Sequence, residues 1–234
     1  MQIGTVAALH RFPVKAMAAE PLEAVAVGFH GLQGDRRYAF VRSDDASDFP
    51  WLTIRQVPAM LRYLPASGED PERDPPLVRT PAGDVHEVTS PALRSELAAA
   101  YGGPVHLHRD HRGTQDAFPV SLLSRQSVGA LGRRVGRELD PLRFRPSILI
   151  DAPGEAEHPE DELVGRTVAL GDELRVRIDQ RDSRCMVVNF DPASVERDPS
   201  VLRAIARHRD ACIGVYGSVE RPGIVRVGDP VRLD

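Results

Sequence analysis

The hydrophobic pattern of the chain consists of short Val, Leu and Ile runs separated by its 20 prolines and 19 glycines. The clearest alternation occurs where Leu174, Val176 and Ile178 alternate with arginines. A period of two residues is typical of a strand with one buried face, and short apolar runs bounded by turn residues also indicate strands. We therefore predict strands in residues 3–9, 22–27, 38–41, 51–54, 60–64, 105–108, 148–151, 167–170 and 174–178, and two more within 223–233.

Only three segments have the end signals of a helix. Ser90 and Pro91 supply an N-cap and a first-turn proline before two leucines that lie four residues apart. Residues 124–136 have apolar residues at helical spacing after a capping serine, and another helix is predicted to start at Asp198 and Pro199. Because strands outnumber these isolated helices, a β-rich α+β fold, a β-barrel with a few peripheral helices, is favoured over a wound βαβ sheet.

The chain divides into two patterns around a polar, glycine-containing stretch at residues 113–118. Such stretches are common between domains, because few contacts cross them. We therefore predict an N-terminal domain in residues 1–115 and a second domain in residues 116–234.

Composition narrows the classes of function. With 30 basic and 34 acidic residues the formal charge is −4, which argues against a general nucleic-acid binder. Two cysteines cannot form a disulfide framework or a four-cysteine iron–sulfur site. No signal peptide and no long apolar segment is recognisable, so we expect a cytoplasmic protein that neither spans nor binds a membrane.

The strongest local sign of chemistry is Cys185, one of the two cysteines, which directly follows Arg184. A neighbouring guanidinium favours the thiolate, the form that attacks electrophiles or binds soft metals. Free cysteine is also among the most buried residue types, so Cys185 could instead be a small core residue at the start of a strand in residues 186–188. The local sequence leaves both interpretations open.

Two other features look less chemical. His106, His108 and His111 have a spacing that could place them on one face of a strand, as metal ligands would lie. No fourth ligand is nearby in the sequence, so we favour a group of exposed histidines at a turn. The second cysteine, Cys212, belongs to no motif and is interpreted as structural.

Seven motifs along nearly the whole chain occur in the order and at the intervals of a known family. They are Phe-Pro-Val-Lys at 12–15, Gly-Leu-Gln-Gly-Asp-Arg at 31–36, Leu-Thr-Ile-Arg-Gln-Val-Pro at 52–58, Leu-Leu-Ser-Arg-Gln-Ser at 122–127, Arg-Phe-Arg-Pro-Ser-Ile at 143–148, Ser-Arg-Cys at 183–185 with Asp-Pro at 191–192, and Gly-Val-Tyr at 214–216 with a Gly-Asp-Pro block at 222–231. By these motifs the chain resembles the MOSC-domain proteins that carry an additional N-terminal β-barrel domain, the group of the mitochondrial amidoxime-reducing component and YcbX.

The resemblance implies a MOSC β-barrel preceded by that N-terminal barrel domain, and a molybdenum–pterin cofactor with Cys185 as the thiolate ligand of the metal. A soft thiolate suits a metal that the pterin already holds through sulfur. Lys15, Arg36 and Arg145 match the family's anchors for the pterin phosphate. The other positions implied to contact the cofactor are Arg55, Ser124, Ser127, Ser147, Ser183, Arg184 and Tyr216.

The implied activity is reduction of N-hydroxylated or otherwise N-oxygenated small molecules. The chain shows no iron–sulfur or flavin motif, so a separate electron-donor protein is expected. Ala16 and Ser147 stand where the family usually has Ser and Asn, and Met186 replaces a smaller aliphatic residue beside the thiolate. Two alternatives remain: a sulfur carrier that holds a persulfide on Cys185, and a protein that stores or inserts molybdenum cofactor.

Overall fold

The computed structural model describes residues 1–234 and has sixteen strands and three α-helices. In chain order the strands are β1 (Gln2–Arg11), β2 (Glu20–Leu22), β3 (Ala24–Gly28), β4 (Gly31–Leu32), β5 (Tyr38–Arg42), β6 (Leu64–Ala66), β7 (Leu77–Arg79), β8 (Val85–Glu87), β9 (Val105–Arg109), β10 (Val120–Ser124), β11 (Ile148–Asp151), β12 (Thr167–Leu170), β13 (Leu174–Ser183), β14 (Cys212–Arg221), β15 (Gly223–Arg226) and β16 (Pro230–Leu233). The helices are α1 (Pro91–Tyr101), α2 (Arg125–Val135) and α3 (Ser200–Arg209), with 3-10 turns at Pro58–Arg62, Pro141–Phe144, Pro159–Leu163 and Met186–Asn189.

Seven strands close into a barrel in the order β11-β10-β14-β13-β12-β16-β1, and β1 pairs back onto β11. All neighbours are antiparallel except β10 and β11. In β13 the buried Val176 and Ile178 point to the core while Arg177 is exposed, as the alternation predicts. Closure leaves no unpaired edge, and the interior, together with the sheet β15-β3-β4, forms a core of 20 buried residues.

The rest of the N-terminal half packs around a second core of 17 buried residues. It consists of the ribbon β5-β9, the sheet β6-β7-β8 and helix α1. Each half contributes to the core of the other. Strand β1 of the N-terminal half is one of the seven barrel strands, and Phe190 from the second half belongs to the N-terminal core. The division between residues 115 and 116 stays a prediction, since strands and core residues pass across it.

The β-rich fold class is confirmed, and so are the three helices and most strands. Two strand predictions were wrong. Residues 51–54 contribute only a single bridge from Trp51, because Thr53 and Gln56 close a local turn in which the Gln56 carboxamide accepts from the Thr53 amide and hydroxyl. Residues 60–64 lie largely in the 3-10 turn Pro58–Arg62, which the proline starts. No helix has the length and apolar character needed to cross a bilayer.

Candidate functional site

One pocket brings Cys185 together with side chains from both halves of the chain. It is lined by 18 residues. Eight of the site residues inferred from the sequence are among them: Lys15, Arg36, Arg55, Arg145, Ser183, Arg184, Cys185 and Tyr216. Because their segments are far apart in the chain, only closure of the barrel against the N-terminal half brings them together.

Cys185 lies two residues beyond the end of β13, at the start of the 3-10 turn Met186–Asn189. Its side chain is exposed, and it forms no disulfide. The alternative interpretation, a buried residue opening a strand, is wrong on both counts, because the chain turns here instead of continuing the sheet. The thiol is therefore accessible from the pocket that it lines.

Arg143 bonds to the turn that carries Cys185. The sequence analysis did not identify Arg143 as a site residue. The Arg143 guanidinium, 1% exposed, donates to the Val188 carbonyl at 3.2 Å and to the Asp191 carboxylate at 2.8 Å. The side chain of Asn189 accepts from the amide of Leu202 in α3. A buried guanidinium with two partners fixes the geometry of the turn, and hence the position of the cysteine.

Arg184, next to the cysteine, is anchored on three sides. Nε donates to the Ile213 carbonyl at 2.9 Å and Nη1 donates to the Phe144 carbonyl at 2.7 Å, while Nη2 lies 2.6 Å from an oxygen of Asp182. Three contacts thus hold one guanidinium rigidly at the pocket wall. A side chain fixed in this way can present its charge to a ligand without losing further conformational freedom.

The buried Asp182 and the half-buried Tyr216 are polar neighbours in the same wall. Burial raises the pKa of Asp182 to about 6, although Arg184 and Tyr216 act in the opposite direction. Burial and the Asp182 charge raise the pKa of Tyr216 to about 12. Neither carboxylate oxygen of Asp182 has a well-formed hydrogen bond, so its contact with Arg184 is mainly electrostatic.

Lys15 reaches the pocket from the loop after β1. Its ammonium donates to the Thr114 carbonyl and to the Asp116 carboxylate, both at 2.6 Å. Burial lowers the pKa of Lys15, the Asp116 charge opposes this, and the positive charges of Arg36 and Arg145 lower it further. Three cations therefore share one small region of the pocket.

Arg36 and Arg145 both pack against the ring of Phe12, with their guanidinium carbons 4.7 and 4.1 Å from the ring centroid. Their polar partners differ. Arg36 pairs with the fully buried Asp35, whereas Arg145 donates only to the Met17 carbonyl, at 2.7 Å. Arg145 therefore has a neutral partner where Arg36 has a charged one.

The charge on Arg145 is not balanced by a carboxylate of its own. Burial, together with repulsion from Arg36, lowers the pKa of Arg145 to about 9. Its Nη2 is buried and has no hydrogen-bond partner. A buried guanidinium with a free donor is costly unless an anion completes it, so this point of the pocket suits a phosphate or another oxyanion.

The backbone is strained at the same place. Ala16, Arg36 and Arg145 have φ angles of 69°, 51° and 53°, in the left-handed region that non-glycine residues seldom adopt. Each such residue costs about 1 kcal/mol or more, and these outliers are typical of ligand sites. The strain places the side chain of Arg36 and that of Arg145 on the pocket wall.

Arg55 and Phe49 also line the pocket, and both are exposed. The Arg55 guanidinium lies 5.3 Å from the centroid of the Phe49 ring, and the Lys15 ammonium lies 5.7 Å from the same centroid. Arg55 lies within the turn closed by Thr53 and Gln56, whose side chains hold the local backbone. The N-terminal half thus supplies an exposed positive charge and an aromatic face to the pocket.

Three serines inferred from the resemblance do not line this pocket. Ser124 and Ser127 are fully buried; the Ser124 hydroxyl caps α2 by accepting from the Ser127 amide and donates to Glu160 at 2.5 Å. The Ser127 hydroxyl bonds to His158. Ser147 is 1% exposed, and its amide donates to Ser121. Ser124 and Ser127 thus bond to the protein's own polar groups, whereas Ser147 lines a smaller pocket that shares Arg36 and Tyr216 with this one. The role of the three serines as cofactor contacts stays a prediction.

Sequence reasoning also missed residues that the structure places at the site. Besides Arg143 these are Phe12, Asp116 and Asp182. The motif 143–148 contained Arg143 but gave no sign of which arginine faces inward. Asp116 had no signal at all, because it lies in the polar stretch that was interpreted as a boundary.

No set of three or more His, Cys, Asp or Glu side chains is grouped so that it could hold a metal ion. His106 and His108 lie within β9, and only His111 lies in the turn after it, so the prediction of an exposed turn group holds for His111 alone. A metal at Cys185 would therefore need most of its ligands from a cofactor. The thiol, the free Arg145 donor and the neighbouring cations together fit a cofactor that brings both a metal and an anionic group.

Comparison with known proteins agrees with the fold. The model of the MOSC domain matches residues 108–232, and that of the MOSC N-terminal beta barrel domain matches residues 3–95. The chain belongs to the MOSC-domain family. Over its whole length this MOSC protein also resembles the crystal structure of the YuaD protein from Bacillus subtilis, with a TM-score of 0.52, 12% identity and coverage of 97% of this chain and 93% of the other.

Curated relatives of this MOSC protein include mitochondrial amidoxime-reducing component 1. The mouse protein is 30% identical over 138 residues, and the human protein is 29% identical over 139 residues. Each match covers 53% of this chain but only 39% and 40% of the respective relative. The match thus spans about two fifths of the length of each relative.

Proposed function

We propose that this MOSC protein binds molybdenum cofactor in the pocket around Cys185 and reduces N-hydroxylated small molecules. The observation that carries the proposal is the exposed Cys185 thiol in the same pocket as the uncompensated guanidinium of Arg145. A thiolate is a suitable ligand for a soft metal, and a free guanidinium donor is a suitable partner for a phosphate.

In this proposal the chain's own residues bind and orient the cofactor. Cys185 would be the protein ligand of molybdenum, and Lys15, Arg36 and Arg145 would hold the phosphate. Arg184, fixed by three contacts, would place a positive charge beside the metal. Arg143 would keep the Cys185 turn in place through its bonds to Val188 and Asp191.

The cofactor, when bound, would supply the two-electron redox centre that the chain lacks. For a hydroxylamine the overall reaction is R–NHOH plus two electrons and two protons, giving R–NH2 and water. A separate redox protein would supply the electrons. Arg55 and Phe49, both exposed in the lining of the pocket, would contact the organic part of a substrate.

The test compares protein purified from its own host with Cys185→Ala and with a matched control, Cys212→Ala. We expect the control to keep its molybdenum and its reduction of a simple amidoxime with dithionite as electron donor. Cys185→Ala should lose at least 90% of both, roughly tenfold or more, because the sulfur that would bind molybdenum directly is removed. Equal molybdenum content and equal activity in the two variants would contradict the proposal.

The same samples distinguish the alternatives. A sulfur carrier would contain no molybdenum, and intact-mass measurement would show an adduct of one sulfur atom that disappears in Cys185→Ala. A cofactor carrier would contain molybdenum and pterin but would give no turnover with any donor. Both cysteines are free, so each readout is available for the unmodified protein.

A further inference from the structure

Asp116 differs from the other carboxylates that pair with cations around the pocket. Asp35, Asp182 and Asp191, which pair with Arg36, Arg184 and Arg143, have side chains 0%, 1% and 27% exposed. The Asp116 side chain is 62% exposed, although its partner Lys15 is only 7% exposed. The first three are built into the fold, whereas Asp116 reaches the cations from solvent.

The carboxylate of Asp116 also lies within the field of all three cations of the proposed phosphate site. It accepts from Lys15 at 2.6 Å. Desolvation alone would raise the pKa of Asp116, but the charges of Lys15, Arg36 and Arg145 outweigh it and hold the pKa below its usual value. One negative charge of the protein therefore stands where a bound phosphate would need to be.

A phosphate and Asp116 cannot both stay close to these cations without a cost. Two like charges about 4 Å apart repel by about 4 kcal/mol at the effective dielectric constant of a protein surface. Asp35 cannot yield, since it is buried and also accepts from the Phe12 amide at 2.7 Å. Asp116 can turn into water, where its carboxylate is fully solvated.

We propose that Asp116 is a displaceable internal anion, which occupies the cation cluster in the ligand-free protein and swings out when a phosphate group binds. This inference rests on the proposed function in that it needs the phosphate site. In the free protein Asp116 keeps the buried ammonium of Lys15 paired. It also sets a threshold, because only an anion that binds the cluster more strongly than Asp116 displaces it.

Displacement of the Asp116 carboxylate would also affect the neighbouring backbone. The Thr114 amide and hydroxyl both bond to the Arg36 carbonyl, at 2.9 and 3.0 Å, and the Thr114 carbonyl accepts from Lys15. The backbone before Asp116 is therefore fastened to the same cations. Removal of the carboxylate from Lys15 should loosen residues 115–118 more than residues up to Thr114.

The test is a titration of the full-length, cofactor-free protein with inorganic phosphate. Asp116→Asn, which keeps the side-chain shape but removes the charge, should bind phosphate about tenfold more tightly, a gain of about 1.4 kcal/mol. The control Asp48→Asn removes the same charge from an exposed residue beside Phe49 and should change the affinity less than about twofold. Addition of phosphate to the wild type should also speed amide hydrogen exchange in residues 115–118.

Three results would overturn the inference, and they differ in what they mean for the proposed function. If the wild type binds phosphate and Lys15→Met abolishes binding, but Asp116→Asn has no effect and exchange is unchanged, Asp116 is not an internal competitor and the phosphate site stands. If neither the wild type nor a folded Asp116→Asn variant binds phosphate at millimolar concentration, the phosphate site itself fails. If Asp48→Asn gained as much phosphate affinity as Asp116→Asn, the gain would come from the change in net charge alone, and the inference would also be overturned.

Discussion

Two groups of buried polar side chains, both built partly from the segments on either side of α2, handle charge in opposite ways. The α2 cluster, formed by Ser124, Ser127, His158 and Glu160, pairs its hydroxyls with the imidazole and the carboxyl group. Burial raises the pKa of Glu160 and lowers the pKa of His158, so both groups tend towards their neutral forms. The α2 cluster is thus close to neutral, although Nε2 of His158 and one carboxyl oxygen of Glu160 have no hydrogen-bond partner.

The pocket, in contrast, contains charged groups that are not neutralised. Lys15, Arg36 and Arg145 lie together, and Arg145 has neither a carboxylate partner of its own nor a bond for its Nη2. Two of these residues, Arg36 and Arg145, also have left-handed backbone φ angles. Uncompensated charge and backbone strain reduce stability, and a folded protein retains them where a ligand supplies the missing partner. Polar burial alone therefore does not mark a site; unmatched charge does.

The largest expected effect is on phosphate binding, which should depend on the pocket and not on the α2 cluster. Arg145→Met should weaken binding of inorganic phosphate about hundredfold, or about 2.7 kcal/mol, because a charge-assisted contact is lost. Its free energy of unfolding should be unchanged or higher, since an unpaired buried charge is removed. Calorimetric titration and urea unfolding measure the two quantities. The control Arg134→Met, an exposed arginine paired with Glu157, should leave phosphate binding unchanged, and equal losses in both variants would contradict the comparison.

The next effect concerns the acid within the pocket. The pKa of Asp182 is about 6 in the folded protein and about 3.9 in an unfolded chain, so the folded state binds the extra proton between these values. The stability from protonated Asp182 is therefore present below about pH 4 and is lost as the pH rises through 6. Asp182→Asn should remove this loss.

Relative to the wild type, the free energy of unfolding of Asp182→Asn should rise by about 2 kcal/mol between pH 4 and pH 7, somewhat less than the full pKa shift gives, because Asp182 of the unfolded chain is already partly ionised at pH 4. Urea unfolding at a series of pH values, in buffers without phosphate, measures the difference. Asp48→Asn should show no such trend. A flat difference for Asp182→Asn would mean that the carboxylate is ionised without penalty.

The smallest effect belongs to the α2 cluster. Ser124→Ala should lower the free energy of unfolding by about 1.5 kcal/mol, because α2 loses its cap and Glu160 loses a donor. Phosphate affinity should stay the same. Ser90→Ala removes the corresponding cap of α1 without disturbing a buried acid, so it should cost less. Weaker phosphate binding in Ser124→Ala would instead support the predicted role of that serine at the site.

Much of the fold was open to prediction because its signals are local. The alternation at Leu174, Val176 and Ile178 indicated a half-buried strand, and β13 extends to Ser183. The caps at Ser90 and Ser124 correctly placed the starts of α1 and α2. The strand predictions failed at 51–54 and 60–64, where a side chain to backbone turn and a proline compete with apolar runs that look like strands.

The sequence by itself determined the β-rich class, the positions of the helices and the motifs that placed Cys185, Lys15, Arg36 and Arg145 among the candidate residues. Only the tertiary structure decided which polar residues face the pocket. Closure of the barrel turned Ser124 inward to Glu160 and brought Asp116 from an apparent linker onto Lys15. Spacing along a chain fixes local direction, but whether a charge finds a partner depends on segments about 100 residues apart that meet only after folding.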